Sequence, residues 1–139
     1  MRKLQDYLLT LLMEESSDII KASSKIIRYG KNYKFENYED ITTEDVLRNE
    51  LADAITVTML ADLSGMQIAP KLVANLLKDD SMFLEVSYRI NNILKFIENN
   101  LESLQIDKEV FKDFEVKTKY LLKDAKVKLK EIEERKLIG

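Results

Sequence analysis

Apolar residues recur at helical spacing along most of the chain. Over residues 2–29, Leu4, Leu8, Leu11, Ile19, Ala22 and Ile26 fall on one stripe when successive residues are set about 100° apart. Gly30 follows where a left-handed C-terminal cap belongs, so a first helix is expected from about Arg2 to Tyr29. The stretch "KNYKFENYEDI" that comes next has no clean period and reads as a polar loop carrying several aromatics. Thr42, with Asp45 three residues on, forms an acidic variant of the capping box and opens a second helix from about Thr43 to Leu63, ending at Ser64-Gly65. Pro70 suits the first turn of a short third helix through about Lys78, because the amide it lacks would be unpaired there. Ser81 is the expected cap of a fourth helix striped by Phe83, Val86, Ile90, Ile93, Leu94, Ile97 and Leu101. Asp107 is expected to cap a fifth, from Lys108 to about Leu137, whose final "KVKLKEIEERK" is charged and solvated. The pattern contains no repeat or linker. The fold expected is one all-α domain over 1–139, a helical bundle of four to five helices.

Carboxylates interrupt these stripes. With Glu15 as origin, Leu8 and Ile26 lie about 20° to one side and Ile19 about 40°. Leu4 and Ala22 lie about 20° to the other side, Leu11 about 40° and Asp18 about 60°. Glu15 is therefore central and Asp18 near the edge, while Glu14 sits about 100° away towards the polar side. On the second helix, Val57 and Ala61 lie about 20° from Glu50, and Val46, Leu47 and Ala54 within about 60°, beside Asp53. Each helix thus offers an acidic pair three residues apart on its packing face. Acidic pairs at that spacing are common on solvated faces, but an ionised carboxylate buried without a partner is costly. Two such pairs facing each other call for cations. Lys25, about 80° round on the side of Asp18, can supply part of that charge, whereas Lys21, about 120° round, points to solvent.

Composition narrows the chemistry. In 139 residues there are three glycines and one proline, far too little turn chemistry for a sandwich or barrel. With no cysteine, disulfides and thiolate metal sites are excluded. With no histidine, so are Ser-His and Cys-His nucleophiles and His-ligated zinc. A metal in this chain must be held by oxygen, which selects a hard cation such as Mg²⁺ or Mn²⁺. The net charge of −3 and the lack of a long basic run argue against a nucleic acid polymer as partner. The apolar runs are too short for a membrane span, and no secretory pattern opens the chain, so a cytoplasmic protein is expected.

"EESSD" at 14–18 followed by "ELAD" at 50–53 resembles the Glu-Glu-x-x-Glu … Glu-x-x-Asp signature of the MazG-like all-α nucleoside triphosphate pyrophosphatases, relatives of dimeric dUTPases and dCTP pyrophosphatases. "SKIIRYG" at 24–30 is similar to the family's Ser-Lys-x-x-Arg-Phe-Gly segment. "ADLSGMQIAPKLVANLLK" at 61–78 is similar to its passage through a Gly turn into a Pro-initiated helix. The resemblance covers about residues 8 to 78 and makes 1–78 the metal and nucleotide-binding core. It leaves 79–139 as C-terminal helices that match no motif, a candidate oligomer interface. It implies hydrolysis of the α–β bond of (deoxy)nucleoside triphosphates to monophosphate and pyrophosphate with Mg²⁺, in a homodimer or homotetramer. By position it makes Glu15, Asp18, Glu50 and Asp53 the metal ligands. Glu14 and Glu15 become the catalytic carboxylates, Glu14 holding a second metal or orienting the attacking water. Lys25 and Arg28 become phosphate contacts, with a solvated or ion-paired role as the alternative. Asn75 and Lys78 match substrate-binding positions only with a shift of a few residues, and also read as plain surface-helix residues. Tyr33, Phe35 and Tyr38 either stack on a base or pin the loop to the core. Asp18 stands where the family has glutamate. The rival expectation is a non-catalytic helical binding or regulatory module that keeps the scaffold.

Overall fold

The computed structural model describes residues 1–36, 40–76 and 78–138. Five α-helices follow in order: α1 Arg2–Tyr29, α2 Thr43–Ala61, α3 Pro70–Leu76, α4 Asp80–Asn99 and α5 Lys108–Ile138. Among the described residues there is no strand beyond an isolated antiparallel bridge between Lys34 and Thr42. The molecule is an all-α bundle.

The start of α2 is built by the loop before it. The Thr42 hydroxyl accepts from the Asp45 amide at 3.1 Å, and Asp45 accepts from the Thr42 amide at 3.0 Å. The first amides of α2, which have no partner within the helix, are taken up from outside. Thr43 N–H donates to the Tyr33 carbonyl and Glu44 N–H to the Lys31 carbonyl, each at 3.0 Å. The Thr43 hydroxyl adds a bond to the carbonyl of Gly30. The end of α1, the loop and the start of α2 are therefore one hydrogen-bonded unit.

α2 stops two residues before the expected Leu63. After Ala61 the chain widens into a π-helical turn, Asp62–Met66, in which Gly65 takes φ 105° and Gln67 follows in the left-handed region. The Gln5 amide donates to the Ser64 carbonyl at 2.9 Å, and Asp62 accepts from the Ala69 amide at 2.8 Å, so this turn is fixed from both sides. The cap of α4 also differs from expectation. Asp79 has extended backbone and accepts from the Met82 amide at 3.1 Å, whereas Ser81 lies within the first turn and donates to Asp79. Asp107 caps α5 as expected, accepting from the amides of Glu109 and Val110.

The core joins Leu4 and Leu8 of α1 to Met59, Leu60 and Ala61 of α2, Val86, Ile90, Leu94 and Ile97 of α4, and Phe111 and Phe114 of α5. Each of these side chains except Ala61 contributes roughly 1.5–3 kcal/mol by leaving water. This core gathers at the N-terminal part of α1. From Leu11 to Tyr29, α1 has Ala22 alone fully buried, and Leu11, Ile19 and Ile26 of the expected stripe stay partly exposed. The acidic pairs fall in this thinner region. No helix among the described residues is long and apolar enough to cross a membrane.

Candidate metal centre and adjoining cavities

The α1–α2 pairing brings Glu15, Glu50 and Asp53 together, one carboxylate oxygen from each lying within 4.8 Å of the others. All three are partly buried. Glu15 Oε2 is out of contact with solvent and has no hydrogen-bond partner among the described residues. Burial, then the charges of Asp53, Glu50 and Asp18, lift the Glu15 carboxyl to about 7. Glu50 is raised too, first by burial and then by Asp18 and Asp53, while a hydrogen bond with Glu15 and then the charge of Lys25 pull in the opposite direction. Glu15 shares a hydrogen bond with Glu50 when it carries a proton, and once both are ionised such a set of close carboxylate oxygens fits a hard divalent cation.

Asp18 lies outside this group of three but near enough to act on both glutamates through its charge. Glu14 is turned elsewhere. It is exposed and borders a groove of about 500 Å³ with Tyr7, Leu11, Asn92, Ile93, Phe96 and Leu104, where its charge adds to burial in raising the Tyr7 hydroxyl.

Two cavities flank the cluster. The larger, about 750 Å³, is lined by Lys25, Tyr33, Phe35, Thr43, Asn49 and Glu50 among others. Lys25 Nζ stands 5.4 Å over the Phe35 ring. Tyr29, Tyr33 and Phe35 pack on one another, Tyr29 stacked on Tyr33 and Phe35 edge-on to both, with centroids 4.8–5.6 Å apart. Tyr33 and Phe35 thus pin the loop and line the cavity at once, while Tyr38 lies outside the described residues. Arg28 is exposed, donates to the Ser24 hydroxyl at 3.1 Å, and borders a neighbouring hollow that shares Lys25 and Phe35 with the larger cavity. Asn75 and Lys78 are exposed at the end of α3 and line neither flanking cavity.

The smaller flanking cavity, about 210 Å³, is lined by Leu11, Glu15, Asp53, Val57, Arg89, Asn92 and Ile93. Sequence reasoning missed its α4 residues. Arg89 Nε donates to Asp53 Oδ1 at 2.7 Å. A weak signal existed, since Arg89 lies about 60° from Val86 and about 40° beyond Ile93 on the helical wheel, a charge flanking the apolar stripe of α4. Asn49, on the other side, carries no such mark.

Compared with known protein families, characterised proteins and solved structures, the chain matches none.

Proposed function

We propose that the protein is a divalent-cation-dependent nucleotide pyrophosphohydrolase. In this reading it cleaves the α–β phosphoanhydride of (deoxy)nucleoside triphosphates, giving a monophosphate and pyrophosphate, with Mg²⁺ or Mn²⁺ as the cation. The observation that carries the reading is the convergence of Glu15, Glu50 and Asp53 beside a cavity of about 750 Å³ that also holds Lys25 and two aromatic rings. The likeness of "EESSD" and "ELAD" to the MazG-like signature supplies the reaction class.

Glu15, Glu50 and Asp53 would hold the cation, with Asp18 adding charge beside them. The bound cation would neutralise triphosphate charge and acidify water. Lys25 offers a positive charge to the phosphates from the cavity wall, and Tyr33 and Phe35 offer faces to the base. Water adds to the α-phosphorus, the bridging oxygen leaves with pyrophosphate, and the proton of the water passes to a carboxylate, the general base available in a chain without histidine. Glu14 keeps a catalytic role here only if the substrate reaches the α1–α4 groove that it borders. Assembly as a homodimer or homotetramer belongs to the same proposal.

One observation favours the rival, a non-catalytic module: Arg89 already neutralises Asp53. The deciding experiment incubates the protein with each (deoxy)nucleoside triphosphate and Mg²⁺ or Mn²⁺ and follows pyrophosphate, alongside Glu50→Gln. Release by wild type and its loss in the variant are expected. No release from any nucleotide, or equal release by both proteins, overturns the catalytic reading.

A further inference from the structure

Arg89 reaches the acidic cluster from α4, outside the segment that carries the acidic motifs. Its side chain is 19% exposed and doubly held, by Asp53 Oδ1 at 2.7 Å and by the Glu85 carbonyl at 3.1 Å. Lys25, in contrast, lies over an aromatic ring on the other flank. On the α4 side, the charge facing Glu15 and Asp53 in their shared cavity is therefore that of Arg89.

A dication coordinated by the three carboxylates and a guanidinium at 2.7 Å from one of them place positive charges on the same small, partly buried site. Their repulsion is moderated by solvent, since the Asp53 side chain is 39% exposed, but both charges compete for the same carboxylate. Asn92 lines the same cavity as Arg89, and the planar fork of donors on a guanidinium released from Asp53 suits phosphate oxygens. Resting on the reading that the cluster holds a divalent cation, we propose that Arg89 is a resident counter-cation that competes with that cation for Asp53 and, once displaced, takes up the pyrophosphate end of the substrate. Arg89 is thus a substrate-binding residue held in reserve by its own site.

The test is calorimetric and uses the whole chain. Removing the competitor in Arg89→Gln is expected to tighten Mn²⁺ binding, on the order of tenfold. In saturating Mn²⁺, the same variant should bind inorganic pyrophosphate on the order of tenfold more weakly. A purely structural ion pair would not move the two affinities in opposite directions. Wild-type binding of Mn²⁺ with either affinity unchanged in the variant overturns this inference alone, whereas no Mn²⁺ binding by either protein overturns it together with the proposed function. A measurement on wild type covers the case of a variant that does not fold. The Arg89 Nε–H resonance, assigned by its absence in Arg89→Lys, should be protected from solvent exchange in the metal-free protein and lose that protection in Mg²⁺. Protection that persists at saturating Mg²⁺ overturns the proposal.

Discussion

The two halves of the α1–α2 pair solve opposite problems with the same geometry. At one end, Leu4 and Leu8 meet Met59 and Leu60 with no exposure of consequence, backed by α4 and α5. At the other, the same helical stripe carries Glu15 and Asp18 opposite Glu50 and Asp53, where the core thins and cavities open on both sides. Close packing fixes the axes of both helices at the apolar end, and that rigidity sets where the carboxylates meet. The acidic end adds repulsion to the fold and gains an electrostatic site. Stability and chemistry are thereby divided along one helix pair.

The comparison breaks most directly at Leu8. Leu8→Ala should cost about 2–5 kcal/mol of unfolding free energy, measured by denaturant titration, because it leaves a cavity under α2 and α4. The loss should be the same with and without Mg²⁺, since the acidic end is untouched. Glu50→Gln should show the reverse pattern, with turnover lowered at least about 100-fold, the upper range seen even for outer-shell partners of a metal, and little change in metal-free melting temperature.

A third outcome turns on protonation. Glu15 is raised from 4.5 to about 7, so between those values the folded chain keeps a proton that the unfolded chain has lost. Unfolding then releases a proton, and metal-free stability falls as pH rises from 4.5 to 7, levelling above that window. Glu50, also raised, acts in the same direction. Because these side chains are partly exposed, screening keeps the drop well below the full linkage value. Melting temperature against pH should therefore decline across the window in wild type and flatten in Glu15→Gln.

Much of this division was legible beforehand. The period of 3.6 placed α1 at its observed bounds, and the wheel put Glu15 and Glu50 among apolar neighbours, because both depend only on local spacing. What escaped depends on the third dimension. The π-helical turn after Ala61 is held by Gln5, 59 residues from Ser64, and no local pattern encodes that bond. Arg89 stood just beside a stripe read only for its apolar members, so its ion pair with Asp53, 36 residues away, went unread. The cap of α4 was misplaced for a smaller reason: three consecutive cap formers, Asp79, Asp80 and Ser81, compete, and Asp79 has the backbone suited to the task.

The smallest expected effect probes what replaces the core at the acidic end. The N-terminus of α2 is held by the Thr42–Asp45 capping box and by carbonyls of the preceding loop, with Thr43 buried against Gly30. Thr42→Ala should cost about 1 kcal/mol, since one cap bond is lost while the loop carbonyls remain. The loss should be local. Hydrogen exchange should quicken at the amides of Asp45 and Val46 and leave those of Met59 and Leu60 unchanged, because the apolar end is anchored independently. Mn²⁺ should bind somewhat more weakly, as Glu50 lies two turns beyond the frayed cap. Equal acceleration at both ends of α2 would mean that the helix melts as one unit, and that the acidic end borrows its order from the core rather than from its own cap.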